Sequence, residues 1–241
     1  MQTITPNRKK LGIIGGMGAR AGVLLMQKVV DYSPVTKDQD FIEILLHSNA
    51  CIPDRTRAIL YEGPSPEEEL IRSVSGFSTY NVEAIVMACV TAYYYYNKLQ
   101  QHTPAYILHP VEALSSYLQN AQPHVRRIGL LASTGAIQAG IFHRLCDTGI
   151  NIITLDDEQQ ETLFMQSLYM PGGLKSGNIS DAAKELFFGA VEKLRTQQVD
   201  MIVGGCSEVS ILLHADALDI PYADVMDLLA MEAVKYCYNL S

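Results

Sequence analysis

Short apolar runs alternate with longer amphipathic segments along the whole chain, the pattern of buried strands and the helices that cover them. Eight runs are predicted as strands: residues 11–15 (LGIIG), 41–47 (FIEILLH), 84–88 (AIVMA), 106–108 (YIL), 128–132 (IGLLA), 151–155 (NIITL), 201–205 (MIVGG) and a short one near Tyr222. Between them, residues 66–80 read as a helix with Ser65 as N-cap, Pro66 in the first turn and acids that suit the positive helix end. Residues 180–197 open similarly, with Ser180 and Asp181. Repeated βα units predict parallel sheets in an α/β fold. No linker, low-complexity tract or long charge run divides the chain.

An internal repeat does divide it. The segment LGIIGGMGA at 11–19 resembles IGLLASTGA at 128–136, and VEAIVMACVTA at 82–92 resembles VDMIVGGCSEV at 199–209. Both pairs are offset by 117 residues, as are Pro104 and Pro221, each of which introduces a short strand followed by a helix. A single repeat of about half the chain predicts two similar α/β lobes. Cys89 and Cys206 then hold the same place in each, at the C-terminal end of a buried strand, where such sheets put their ligand crevices.

Composition narrows the class. Of 241 residues, 48% are hydrophobic and 18% charged, and the formal charge of −8 offers no basic surface for nucleic acid. The longest apolar-leaning run, residues 84–96, is shorter than the roughly 20 residues that span a bilayer, so no membrane partner is expected. The polar start MQTITPNRKK lacks a signal-peptide core, which makes cytoplasmic residence the expectation. Five cysteines without a CxxC pair suit free thiols in a reducing compartment, and the six histidines form no HExxH-like pair, so no metal site is expected. GIIGGMG is not the GxGxxG of a dinucleotide site, and Gly15 and Gly16 more simply let backbone approach a ligand.

A lone cysteine at a strand end is commonly a small buried hydrophobe. Two equivalent ones change that reading. Thiols presented to opposite faces of one molecule suit a reaction whose substrate and product are mirror images, one removing a proton and the other returning one. Such a base must ionise near neutral pH although a free thiol has a pKa of about 8.5, and backbone N–H groups at a strand-to-helix junction are the expected help.

The motifs GGMG (15–18), PDRT (53–56), ACVTA (88–92), LKSG (174–177) and GCSE (205–208) together resemble the cofactor-independent aspartate/glutamate racemase superfamily, and within it the aspartate racemase group, from about residue 11 to the C-terminus. The resemblance implies two pseudo-symmetric lobes, each a parallel-sheet α/β sandwich, with the active site in the cleft between them. The first lobe would be residues 1–110 plus 225–241 and the second 111–224. It further implies an amino-acid racemase of aspartate or glutamate with no pyridoxal phosphate or other cofactor, and a homodimer. Cys89 and Cys206 would be the catalytic acid and base, and Arg55 and Lys175 would bind substrate carboxylates. Met17, Gly18, Val90, Thr91, Ser207 and Glu208 would line the substrate, Glu208 being as suited to a cap or salt bridge.

The first cysteine loop departs from the family, with Val90 and Tyr93 where asparagine and histidine are usual. Valine cannot replace a hydrogen-bonding amide, and tyrosine cannot titrate near pH 7. Ser133 and Ala136 also stand where threonines are common. Alternative readings are an isomerase or decarboxylase of a small dicarboxylic acid, or a non-catalytic binding protein for a small acid. Tyr93 to Tyr96 cover every side of one helical turn, so at least one ring should be buried. Cys51, Cys146 and Cys237 lack partners in the repeat and are read as structural.

Overall fold

Every strand run of the sequence forms a strand in the computed structural model, which describes residues 8–240. They are β1 (Leu11–Gly15), β2 (Ile44–Ser48), β3 (Ala84–Met87), β4 (Tyr106–Ile107), β5 (Arg127–Leu131), β6 (Asn151–Ile153), β7 (Met201–Gly204) and β8 (Tyr222–Asp224). All pairings are parallel, in two four-stranded sheets of order β2-β1-β3-β4 and β6-β5-β7-β8. The central strands β1, β3 and β7 are buried at every position, because helices cover both faces, whereas the edge strand β2 has no fully buried residue. That difference is why β1, β3 and β7 read as unbroken apolar runs. Helical residues Phe164, Phe187 and Leu194 join Ile202 of β7 in one buried cluster.

The chain divides into two units. One comprises the described residues up to Pro110 together with those from Asp227 on; the other is Val111–Met226. The two sheets fall one to each unit and share a topology. In the first, Leu11 pairs with Ala84; in the second, Ile128 pairs with Met201, the same register moved on by 117 residues. The final helix, Val225–Tyr238, lies mostly in the first unit, where the Asp227 carboxylate accepts from Lys28 Nζ at 2.6 Å and Tyr32 Oη at 2.8 Å. Tyr238 Oη donates to the Asp40 carbonyl at 2.9 Å.

Local sequence rules explain the two helix starts read from the sequence, with one correction. The helix Glu67–Gly76 opens with Pro66, not Ser65, at the N-cap, although Ser65 Oγ still accepts from Glu67 N–H at 3.3 Å. The helix Asp181–Arg195 has the expected cap, Ser180 Oγ accepting from Ala183 N–H at 3.2 Å. Of the tyrosine run, Tyr93 and Tyr95 are buried and Tyr94 is exposed. Cys237 is a core residue, but Cys51 and Cys146 are exposed, so neither packs as a structural thiol. No helix among the described residues is long and apolar enough to cross a membrane. Most of the polar N-terminal stretch, residues 1–7, lies outside the described residues.

Replacing Ser180 with alanine removes an acceptor from the first turn of the Asp181–Arg195 helix. Chemical denaturation should show a loss of about 1 kcal/mol in the Ser180→Ala variant; an unchanged midpoint would mean the cap contributes nothing.

Candidate active site

Each of the two repeated cysteines follows a central strand through the same backbone geometry. Ala88 N–H donates to the Ile14 carbonyl at 2.9 Å, and Gly205 N–H donates to the Leu131 carbonyl at 2.8 Å, the same bond 117 residues on. The turn beyond each thiol is also repeated: Ala92 N–H donates to the Cys89 carbonyl at 3.1 Å, and Val209 N–H to the Cys206 carbonyl at 2.9 Å. Both cysteines are buried, at 6% and 7% exposure.

In the first unit, the glycine-rich loop after β1 and the PDRT loop are tied together. Arg55 is buried, and its guanidinium donates to the carbonyls of Met17 at 2.7 Å, Pro53 at 2.9 Å and Ile52 at 3.4 Å. Asp54 caps the short helix Arg55–Leu60 by accepting from Arg57 N–H at 2.8 Å. Met17 has a buried side chain and meets Arg55 through its carbonyl, while Gly18 is the extended residue before the helix Ala19–Tyr32. Gly16 has φ +89°, and a Cβ there would lie 2.2 Å from the Asn49 carbonyl carbon, so only glycine fits. Beyond Cys89, Val90 and Thr91 are buried in the 3-10 turn Val90–Tyr95.

Tyr93, at the family's histidine position, is not poised to titrate. Its hydroxyl accepts from Met87 N–H at 3.0 Å, its ring meets His109 edge-on, and burial pushes its pKa far above the usual phenol value. It therefore fixes the end of β3 two residues before the thiol.

The second unit gathers three expected site residues around the carboxylate of a fourth, Glu208. Glu208, 2% exposed, accepts from Lys175 Nζ at 2.7 Å on one oxygen, and from Cys206 Sγ at 3.0 Å and Ser207 Oγ at 3.1 Å on the other. Lys175 also sits 5.5 Å from the centre of the Tyr169 ring. Burial alone would raise the Glu208 pKa, but the Lys175 charge and the hydrogen bonds from Cys206, Lys175 and Ser207 together hold it below the usual carboxylate range. Cys206 moves the other way: burial, then the Glu208 charge, push its thiol well above the ordinary value, against a smaller opposing pull from Lys175. The expected assistance from a helix N-terminus does not prevail. The helix beyond Cys206 is only Val209–Leu212, too short to carry much dipole.

Three further residues brace these loops without having stood out in the sequence. Asn49 is buried after β2; its amide donates to Glu69 at 2.7 Å and its carbonyl oxygen accepts from Cys51 N–H at 3.1 Å. In the second unit, Gln160 Nε2 donates to the Ala132 carbonyl at 2.9 Å, and Glu161 accepts from Thr134 Oγ1 at 2.5 Å. Both lie in a π-helical segment, Gln160–Met165, a rare form that periodicity does not reveal. Among the described residues, no group of three or more His, Cys, Asp or Glu side chains is arranged to hold a metal ion.

Comparison with known proteins shows the family and the fold. The Asp/Glu/Hydantoin racemase family profile matches residues 14–233. The broad specificity amino-acid racemase RacX of Bacillus subtilis is 24% identical over 93% of this chain and 96% of its own. In fold, the chain is similar to the Picrophilus torridus aspartate racemase, with a TM-score of 0.83, 24% identity and coverage of 96% of this chain and 98% of that one. It is also similar to a Bacillus anthracis glutamate racemase, RacE1, with a TM-score of 0.66, 15% identity and coverage of 95% and 82%.

Removing the Tyr93 hydroxyl leaves Met87 N–H, wholly buried, without its acceptor. The Tyr93→Phe variant should lose about 1–3 kcal/mol in urea or guanidinium unfolding, and an unshifted transition would show that this bond does not hold the loop.

Proposed function

Because the chain belongs to the Asp/Glu/Hydantoin racemase family, we propose that it is an amino-acid racemase in which Cys89 and Cys206 exchange the α-proton of aspartate or glutamate without a cofactor. The observation that carries this reading is the repeated backbone geometry, which supplies two equivalent thiols rather than one. The chemistry balances simply. One thiolate takes the α-hydrogen and becomes a thiol; the electron pair left behind delocalises into the substrate carboxylate; the other thiol protonates the opposite face and becomes a thiolate. The reading requires both sulfurs to reach one α-carbon. Backbone N–H groups in the cysteine turns are the natural donors to the enolate-like charge.

The cations take unequal parts. Arg55, buried and donating to three carbonyls, holds the Met17 loop in shape and so presents backbone to the substrate. Lys175 meets a substrate carboxylate by partial exchange with Glu208, which it contacts in the free protein. Thr91 and Ser207 supply hydroxyls beside the two sulfurs. Val90 supplies none, and a pocket with fewer polar contacts reads side-chain acids less stringently.

That last point favours a second reading, in which the substrate range extends beyond acidic amino acids. The similarity to a racemase named for broad specificity supports it. Incubation in deuterated water separates the cases: α-deuteration and D-isomer formation are expected with L-aspartate or L-glutamate on the first reading, and with neutral or basic amino acids as well on the second. Reduced, folded protein that exchanges no amino acid α-hydrogen would leave a binding function instead. Cys89→Ser and Cys206→Ser should each lower racemisation at least about 100-fold, and near-full activity in either would remove the two-base assignment.

A further inference from the structure

The two cysteine loops share backbone geometry but not chemistry. Two residues beyond Cys206 stands Glu208; at the repeat-equivalent position, two residues beyond Cys89, stands Thr91. Glu208 is a buried carboxylate with the thiol on one oxygen and an ammonium on the other. We propose that Glu208 is a positioning residue that holds the proton on Cys206, making Cys206 the proton-carrying thiol of the free protein, and that Lys175 is the counter-charge that tempers this hold. The inference deepens the racemase reading and takes from it only the meaning of the proton; where the proton resides is a property of the ligand-free chain.

The geometry leaves little choice about the donor. An ionised carboxylate only accepts, and Glu208 is kept ionised by Lys175 and by the hydroxyl of Ser207. The 3.0 Å contact between Cys206 Sγ and Glu208 Oε2 is therefore an S–H donating to oxygen. A thiolate at that distance would face a carboxylate across a buried space where charge is poorly screened. Against this the surroundings offer it the backbone N–H of Glu208 and the charge of Lys175, which do not outweigh burial and the carboxylate. The cluster that contains Cys206 is built from apolar side chains such as Leu131, Phe164, Met165, Leu174 and Val209. Among the described residues the charged groups acting on the sulfur are Glu208 and Lys175, and they act in opposite senses. Once Cys206 has given up its proton, the same carboxylate favours its return, resetting the donor.

Opposite senses give a test that a merely structural role does not pass. Glu208→Gln keeps the size of the side chain and removes its charge, leaving Lys175 to favour the thiolate. Lys175→Met removes the opposing charge and leaves Glu208 to disfavour it. Only the thiolate is alkylated, so the rate of iodoacetamide labelling, resolved by peptide mass for each cysteine between pH 6.5 and 10, reads the proton directly. At pH 8 the Glu208→Gln variant should label Cys206 about 10-fold faster than the parent, a midpoint lowered by about one pH unit. Lys175→Met should label it more slowly, and Lys175→Arg at the parent rate.

Cys51 and Cys146, both exposed, serve as internal references, and Cys237, wholly buried, should stay unlabelled while the fold persists. If a variant exposes Cys237, the parent profile still decides the matter. Its Cys206 labelling must have a higher midpoint than that of Cys51 and Cys146, and a midpoint at or below theirs overturns the proposal. So does a shift of both variants in one direction, or slower labelling of Glu208→Gln. No substrate is present, so an inactive protein with opposed shifts keeps this inference and loses the racemase reading. An active protein without opposed shifts does the reverse.

Discussion

The placement of both thiols depends on parallel pairing between the two central strands of each sheet. In that pairing the residue before each cysteine donates its N–H to the neighbouring strand, Ala88 to Ile14 and Gly205 to Leu131. The bond ends the strand at a fixed height, so the next residue must leave the sheet at its C-terminal edge. There the chain turns on itself, and the backbone closes a short turn over the thiol. Because the pairing is repeated in register, the two cysteines inherit the same position without any contact specific to either. The apolar runs that bury β1, β3 and β7 thus do more than build a core; they set where the two cysteines stand.

Much of this was legible in the sequence for a physical reason. Strands buried on both faces must be apolar throughout, and a duplication preserves their spacing, so both the strands and the 117-residue offset could be read directly. The two cysteines stood out through that offset, not through their own surroundings. The edge strand β2 was less sharp, starting at Ile44 rather than Phe41, because an edge is only half covered. The loops were least legible. Lys175 reaches Glu208 across 33 residues of chain, and no periodicity encodes the return of a loop. Asn49, Gln160 and Tyr93 likewise act through bonds to backbone, which leave no pattern in composition. Burial corrected the reading of charge as well: Arg55 could be taken as a solvated cation until its three carbonyl partners were seen.

Burial also reverses a common intuition about reactive thiols. A cysteine at a strand-to-helix junction is expected to ionise easily, since helix N-termini attract anions. Here the helices beyond the thiols are a six-residue 3-10 turn and a four-residue helix. At Cys206 the weak field of the four-residue helix is set against removal from water and a carboxylate at contact distance. Desolvation and like charge win, and the thiol stays protonated. Lys175 and the hydrogen bonds from Cys206 and Ser207 together keep Glu208 ionised in spite of its burial, so it remains an acceptor.

The proposed two-base racemisation needs one thiol and one thiolate at the same moment, whereas a perfectly duplicated site would not distinguish the two sulfurs. The chain resolves that conflict by keeping the backbone repeat and breaking the chemical one. Thr91 answers Glu208, and Tyr93 answers Ser210, whose hydroxyl donates to Asp224 at 2.8 Å. On one side a phenol that cannot titrate near neutrality braces the strand; on the other a paired carboxylate fixes a proton. The departure at Tyr93, which on sequence alone puts substrate choice and rate in doubt, can be understood as one half of this asymmetry. On the proposed reading, the repeated fold supplies two equivalent thiols, and unequal side chains decide which begins as the donor.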